Sequence, residues 1–304
     1  MGMKLAFSNI ACSELDLDAL LARSAEWGYS GIELKFFEGR FDLTESPTLK
    51  RDPGAIRGKF ADAGQTLVAL NTSLSFCDPK KDTREANKTK LSEYIELAER
   101  IGAERVIVCG DVLPSGMSKA QAINQTAEVL RDLAIEAAER SVTIVIENIG
   151  DFASSRDMWT VNDAVRFPSV AVCWNQIYAQ MLNEPPSLTI PRLGHALGLV
   201  HLSDARLSEA GLIETYVEIG KGSLESERMI ELLKGVAYDG WLCVEWPRLW
   251  QPALAAAEKV LPASAKFLAE VLERKPVVLT AYKGDKRAPK FVSRNVEAVE
   301  PSEA

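Results

Sequence analysis

Apolar residues along this chain follow two alternating patterns. Helical spacing of apolar positions predicts helices near residues 17–27, 53–63, 83–101, 118–140, 157–167, 190–197, 224–236 and 252–273. Short, nearly unbroken apolar runs predict buried strands at residues 4–11, 31–37, 66–76, 105–110, 143–149, 170–175, 198–205 and 241–247. Each strand is followed by a helix, and Ser13 to Asp16 reads as a capping box ahead of the first helix.

Eight such strand–helix units predict an α/β fold, a single-domain (β/α)8 TIM barrel over residues 1–274. Strands that are apolar throughout are typical of a parallel sheet covered on both faces. A doubly wound sheet is the alternative, but no G-x-G-x-x-G follows the first strand. Residues 275–304 lack helical periodicity, so we expect a C-terminal extension that is partly irregular or contacts another subunit, with disorder the simpler interpretation of its last residues.

Composition narrows the classes of function. The chain of 304 residues is 47% hydrophobic and 26% charged, as in ordinary globular proteins. A net charge of -8 argues against a nucleic-acid partner, which would need a basic face. No apolar run is long enough to span a membrane. The five scattered cysteines form no C-x-x-C pair and suggest a reducing compartment, so we predict a cytoplasmic protein.

Polar groups at the carboxyl ends of the strands are the candidates for chemistry, because TIM barrels place their active sites there. Glu147 and Glu245 each end an unbroken apolar run, where a carboxylate is costly without a cation or hydrogen bonds. Bonding to neighbouring backbone or arginine is the alternative for one such glutamate. A pair of them with His201 between favours a site, and imidazole with carboxylates suits Mn, Co, Zn or Fe.

Five motifs carry a resemblance to a known family. In chain order they are VIEN, VCWNQIY, VHLSDAR, VEIGKGSLE and LCVEW. Residues 3–273 thereby resemble the xylose isomerase-like TIM barrels, the sugar phosphate isomerases and epimerases that also include inosose dehydratases, hydroxypyruvate isomerases and endonuclease IV. The resemblance implies one divalent metal, Mn, Co, Zn or Mg, held at the barrel mouth. Its ligands would be Glu147, the position of Asn175, His201 and Glu245.

The chain departs from the resembled pattern on its sixth strand. The family has Asp-x-x-His there, and this chain has Asn175 and Tyr178. The ligand set therefore offers a divalent cation two negative charges rather than three, although the amide oxygen of asparagine can still bind a cation. The family's arginine beyond the histidine is also displaced, and Arg206 is the nearest candidate.

The resemblance implies a metal-assisted isomerase or epimerase of a small sugar, keto-sugar or cyclitol, working through an enediolate with Glu147 and Glu245 as the acid/base pair. It also implies a homo-oligomer. Two histidines at this net charge exclude a site like that of endonuclease IV. The residues expected to contact substrate are Glu33, Asn71, Asn148, Trp174, Arg206, Lys221 and Trp246.

Three alternatives stay open at this stage. The first is a metal-dependent dehydratase or lyase acting on a cyclitol. The second is a non-catalytic, sugar-binding barrel whose site has degenerated, because Asn175 and Tyr178 replace the family's Asp and His. The third concerns the Gly-x-Gly of residues 218–223, which could hold a phosphate or be only a tight turn.

Overall fold

The computed structural model describes residues 2–274, and within them eight parallel strands close into a barrel in the order β1-β10-β7-β6-β5-β4-β3-β2. The predicted TIM barrel is therefore confirmed. The barrel strands are β1 (Lys4–Ser8), β2 (Gly31–Leu34), β3 (Thr66–Asn71), β4 (Arg105–Cys109), β5 (Thr143–Glu147), β6 (Val170–Asn175), β7 (Leu197–Leu202) and β10 (Trp241–Val244). A separate antiparallel pair, β8 (Asp204–Leu207) and β9 (Ile213–Val217), follows β7.

The helices alternate with the barrel strands along the chain. They are α1 (Leu17–Glu26), α2 (Pro47–Arg51), α3 (Pro53–Asp62), α4 (Lys81–Ile101), α5 (Lys119–Glu139), α6 (Ser155–Val165), α7 (Gln176–Met181), α8 (Pro186–Leu193), α9 (Ser226–Gly235) and α10 (Ala257–Glu273). Among the described residues, each helix is too short or too polar to cross a membrane. The expected extension over 275–304 lies outside the described residues.

Local details differ from the predicted elements for identifiable reasons. α1 begins after Asp16, whose carboxylate accepts from the Ala19 N–H at 2.9 Å, so Ser13 does not form the predicted capping box. Most strands end earlier than the apolar runs do, and after β3 the chain turns at Ser73, which has a φ of 56°. The β8–β9 hairpin lies mostly between the predicted strand 198–205 and the predicted helix 224–236, and neither β9 nor α7 was predicted.

Strand alternation sorts the side chains into an outer and an inner set. Inward residues such as Val145, Cys173, Leu199 and Cys243 form a small apolar cluster inside the barrel. Trp241 belongs to this cluster, and a Cβ atom on Gly31 would lie 2.7 Å from its ring, so glycine is needed there. Because side chains alternate, the residues two positions beyond this cluster point into the barrel mouth, and these are the polar residues at the strand ends.

All five cysteines are buried and unpaired. Three of them, Cys109, Cys173 and Cys243, lie on barrel strands near the polar residues of the mouth. Burial raises the pKa of Cys173 to about 12, so its thiol stays protonated at neutral pH. The buried thiols therefore act as small apolar side chains.

Candidate functional site

Glu147, Asn175, His201 and Glu245 converge at the carboxyl end of the barrel. Glu147 ends β5, Asn175 ends β6, His201 lies on β7 and Glu245 follows β10. Asn175 and His201 are neighbours in the β6–β7 register. The structure therefore brings together the four side chains that the strand ends and the family resemblance had grouped, on four neighbouring strands of one barrel.

The amide of Asn175 links the two glutamates. Its Nδ2 donates to Glu147 Oε1 at 2.9 Å and to Glu245 Oε2 at 2.8 Å. Its Oδ1 is directed elsewhere and accepts from the Ile177 N–H at 3.3 Å, at the start of α7. Because a backbone N–H can only donate, this cap fixes which end of the amide faces the carboxylates. Asn175 therefore presents a donor where a metal ligand was expected.

His201 is fully buried between carboxylates. Nε2 lies 2.7 Å from Glu33 Oε2, and Nδ1 lies 3.1 Å from Glu147 Oε1 and 3.5 Å from Glu245 Oε1. Burial favours neutral imidazole, but these carboxylates outweigh it and raise the pKa of His201 well above its usual value. The imidazole is thus a cation that neutralises part of the cluster and joins Glu33 to the mouth.

Glu33 and Asn71 form a layer beneath the mouth. Glu33 is fully buried, and its Oε1 accepts from Ser8 Oγ at 3.0 Å and from Asn71 Nδ2 at 3.4 Å. Glu33 thereby fixes the ring of His201 with one oxygen and is itself fixed through the other. The structure gives both residues a supporting position rather than the predicted contact with substrate.

The two mouth glutamates differ in acidity. Burial opposes ionisation of Glu147, but His201, Lys35 and the Asn175 amide outweigh it and lower the pKa to about 2. For Glu245, burial together with the charges of Glu147 and Glu33 raises the pKa to about 7. One carboxylate is therefore ionised at neutral pH while its neighbour is close to its titration point, an arrangement suited to moving a proton.

A cavity of about 500 Å³ opens above these groups. Glu147, Asn175 and Glu245 form its floor, and Trp250 lies at its rim with about half of its surface exposed. The hydroxyl-bearing residues on its wall are Ser73, Ser75, Tyr178, Ser203 and Tyr216. The volume lies in the range of ordinary small-molecule sites.

None of the seven residues expected to contact substrate lines this cavity directly. Trp174 is fully buried on the outer face of β6, and Trp246 is buried with its indole N–H on the Ala255 carbonyl at 2.8 Å. Arg206 is exposed, and Lys221 pairs with Glu218 at the surface. Asn148 is also buried away from the cavity, where its amide bonds the backbone of Asn175 and supports that residue.

Sequence reasoning missed Lys35, Tyr216 and the conformation of Ser73. Lys35 lies two residues beyond Glu33 and so shares its inward face, which is the signal that could have identified it. Tyr216 enters on β9 of the β8–β9 hairpin, a strand that was not predicted. Ser73 adopts a left-handed φ of 56° at the cavity wall, a strained conformation of the kind found at functional sites.

The Gly-x-Gly turn binds an internal carboxylate. Asp204 Oδ2 accepts from the N–H groups of Gly220 and Gly222 at 2.9 Å each, and Oδ1 accepts from Leu224 N–H at 3.2 Å. A Cβ on Gly222 would meet Asp204 Oδ1 at 2.0 Å, so glycine is required there. The backbone donors that a phosphate would need are therefore occupied, which agrees with the tight-turn interpretation.

We expect Asp204→Ala to lower the free energy of unfolding by about 1–3 kcal/mol, because the backbone N–H groups of Ala205, Gly220, Gly222 and Leu224 all lose their acceptor. Urea unfolding followed by tryptophan fluorescence measures this change. Glu231→Ala is the control, since it removes only an exposed ion pair with Arg228 and should cost well under about 1 kcal/mol. An unchanged urea midpoint for Asp204→Ala would contradict the assigned role of this carboxylate.

Several solved structures have a fold similar to that of this chain. The IOLI protein with a bound zinc atom superposes with a TM-score of 0.74 at 18% identity, covering 89% of this chain and 98% of that chain. L-ribulose 3-epimerase superposes with a TM-score of 0.72 at 14% identity, covering 89% and 95%. At such identities the similarity shows a shared fold. A search of curated protein sequences found no match.

A third solved structure is longer than this chain. It is a xylose isomerase-like TIM barrel/4-hydroxyphenylpyruvate dioxygenase fusion protein, with a TM-score of 0.73 at 18% identity. The match covers 89% of this chain but only 43% of the fusion protein. The family model described as xylose isomerase-like TIM barrel matches residues 21–271. Because that match includes most of the sequence and nearly the whole barrel, the chain belongs to the xylose isomerase-like TIM barrel family.

Proposed function

We propose that this protein is an isomerase or epimerase of a small sugar, keto-sugar or cyclitol. The observation that carries the proposal is the pair of carboxylates, Glu147 and Glu245, held by one amide at the floor of a cavity of about 500 Å³. Two carboxylates at one end of a pocket can remove a proton from carbon and return it. The similarity in fold to L-ribulose 3-epimerase supports the same class of substrate.

Three side chains at the mouth fit a divalent metal. The donor atoms of Glu147, His201 and Glu245 all lie within 4.8 Å of one another. His201 directs Nδ1 at both glutamates while Glu33 accepts at Nε2, the carboxylate–histidine arrangement that orients metal ligands. Nδ1 would bind the ion after losing the proton that it carries in the metal-free imidazolium. Mn, Co, Zn or Mg held there would act as a Lewis acid on adjacent substrate oxygens. The zinc atom of the IOLI protein supports this assignment.

Asn175 does not belong to this set of metal ligands, which therefore has three members. Its Oδ1 caps α7, and its Nδ2 donates to the two carboxylates that would bind the ion. Three protein ligands with an open position are typical of catalytic zinc sites. We therefore place Asn175 as the residue that spaces Glu147 and Glu245, rather than as the fourth ligand that the family resemblance implies.

Glu147 and Glu245 have different roles in the proposed proton transfer. Glu147, the more acidic of the pair, takes the proton from the carbon beside the substrate carbonyl. Glu245 faces the same space and supplies a proton to that carbon, and return to the opposite face gives the epimer. Trp250 offers a flat apolar surface for a sugar ring, and Tyr178 and Tyr216 offer hydroxyls for hydrogen bonds to it.

A metal-free, sugar-binding barrel is the second candidate. The Asn175 amide favours it, because a donor already satisfies both carboxylates without an ion. The test is deuterium incorporation in D2O: the protein is incubated with a panel of ketopentoses, ketohexoses and cyclitol ketones, and loss of C–H signals is followed by NMR. Exchange beside a carbonyl supports the isomerase, and eliminated water would instead identify a dehydratase. Ligand-induced thermal stabilisation without exchange supports the binding barrel.

We expect Glu33→Gln to weaken zinc binding by roughly 10- to 100-fold, because outer hydrogen-bond partners contribute that much to metal affinity. Glutamine keeps the shape of Glu33 but removes the charge that makes His201 a stronger ligand. Calorimetric titration of metal-stripped protein measures the change. Glu45→Gln, at an exposed position, is the matched control. Equal zinc affinity in wild type and Glu33→Gln would contradict the assigned role.

A further inference from the structure

Lys35 places a cation at the wall of the cavity. It follows β2 directly, and its backbone N–H donates to Asn9 Oδ1 at 2.9 Å. Asn9 is itself fully buried, and its Nδ2 donates to the Phe36 carbonyl. One buried asparagine therefore fixes the two residues that follow β2, so the direction of the Lys35 side chain is set by the fold. Among the described residues that line the cavity, Lys35 is the single positively charged one.

The ammonium of Lys35 has no hydrogen-bond or ion-pair partner within residues 2–274. Its nearest described partner is the ring of Trp250, whose centroid lies 5.5 Å from Nζ. The Lys35 side chain is half-buried and lines the cavity, so its three N–H donors are available to oxygen atoms of a ligand there. Cation–aromatic attraction holds the group at the wall without using those donors.

The negative charges of nearby carboxylates keep the Lys35 amine protonated. Burial favours the neutral amine, but the nearby carboxylates of Glu147, Glu245 and Glu33 outweigh it and raise the pKa above its usual value. A lysine that forms an imine with a carbonyl, or that acts as a base, needs a lowered pKa. Lys35 is therefore suited to electrostatic stabilisation and not to covalent catalysis.

The barrel order places Lys35 opposite the amide of Asn175. In the closed sheet, β2 and β6 are four strands apart in either direction, which is the largest separation an eight-stranded barrel allows. Glu147 and Asn175 end two strands on the far side. A substrate lying across the mouth therefore meets Glu147 and Asn175 at one end and the Lys35 ammonium at the other.

We propose that Lys35 is a catalytic residue that binds the substrate carbonyl oxygen and stabilises the negative charge that develops there. This inference rests on the proposed function and adds to it a cation supplied by the chain itself. When a carboxylate takes the proton from the adjacent carbon, the C–H electron pair forms the new C=C bond. The carbonyl π pair moves to oxygen, which accepts a hydrogen bond from Lys35.

Return of the proton to carbon reverses these electron movements, so the reaction needs no oxidant, reductant or second substrate. A carbonyl oxygen has two lone pairs. One can accept from Lys35 while the other faces the three ligands of the metal site. Lys35 therefore complements the assigned metal ligands instead of replacing them.

The test compares Lys35→Met, which keeps the length and removes the charge, with Lys35→Arg, which keeps the charge. On a sugar that the wild type deuterates, we expect Lys35→Met to lower kcat for exchange by roughly a hundredfold, the usual effect of losing one oxyanion donor. KM should change by less than about threefold, and Lys35→Arg should recover most of kcat. Lys50→Met, at an exposed position, is the matched control. Exchange by Lys35→Met near the wild-type rate would overturn the proposal.

A binding measurement separates this inference from the proposed function. Glycolohydroxamate, a small mimic of an enediolate, is titrated calorimetrically into metal-stripped protein. We expect about tenfold weaker binding by Lys35→Met and little change for Lys35→Arg, as for loss of one charged hydrogen bond. Lys35-dependent binding without sugar exchange would reject the isomerase and retain the Lys35 site. Equal affinities, or no binding by the wild type, would reject the Lys35 site even if exchange occurs.

Discussion

Glu147→Gln is expected to reduce deuterium exchange by roughly a thousandfold on any sugar that the wild type exchanges, because a general base contributes on that order to rate. Glutamine keeps the volume of Glu147 and can still accept from the Asn175 amide, which lies 2.9 Å from Oε1 in the wild type. It cannot take a proton from carbon. The measurement is the initial rate of C–H signal loss in D2O, with the enzyme saturated in substrate.

Glu147 also belongs to the assigned metal ligands, so the experiment has to separate two causes of inactivity. Adding Mn²⁺ in excess should restore exchange if the variant has only lost affinity for the ion. We expect no recovery, because the missing group is the base itself. Glu128→Gln, outside the cavity, is the control for the substitution. Exchange by Glu147→Gln within tenfold of wild type would assign the base to another residue.

The fold was predictable because it depends on patterns that repeat along the chain. Eight apolar runs separated by amphipathic helices leave few arrangements other than a parallel barrel. In such a barrel every strand ends at the same edge, so strand order alone groups Glu147, Asn175, His201 and Glu245. The grouping used only strand order and did not require knowledge of side-chain directions.

The errors at the site came from side-chain direction. Alternation along β6 points Trp174 away from the face that carries Asn175, so this tryptophan packs under the helices and cannot reach a substrate. The same rule, applied to β2, would have identified Lys35 from its spacing to Glu33. Tyr216 was beyond prediction, because β9 is partly exposed and has no periodic apolar pattern. Its place at the cavity depends on how the β8–β9 hairpin packs.

The orientation of the Asn175 amide also lay beyond the sequence. An asparagine can offer either its oxygen or its nitrogen to a site. Here the start of α7 takes the oxygen, because Ile177 has a backbone N–H that needs an acceptor. The nitrogen is then directed at Glu147 and Glu245. The start of α7 thus decides that Asn175 offers a hydrogen-bond donor to the site and not a metal ligand. An aspartate at this position would have no such donor and would offer a second carboxylate oxygen instead.

Asn175→Asp is expected to change stability and metal affinity in opposite directions. Without metal, a third carboxylate would face Glu147 and Glu245 in place of two hydrogen bonds, and we expect the free energy of unfolding to fall by about 3–5 kcal/mol, as for an uncompensated buried charge. With metal, the added charge should tighten Mn²⁺ binding on the order of a hundredfold, since ligand charge tunes affinity. Urea unfolding with and without Mn²⁺ and calorimetric titration measure both effects.

Asn175→Ala provides the contrast for that variant. It removes the two hydrogen bonds to Glu147 and Glu245 without adding charge, so it should lose stability and gain no affinity for Mn²⁺. If both variants bind Mn²⁺ more tightly, removal of the amide donor and not the new charge is responsible. If Asn175→Asp binds Mn²⁺ no better than wild type, the three-ligand site at Glu147, His201 and Glu245 is rejected, because a carboxylate placed against it would have to strengthen it.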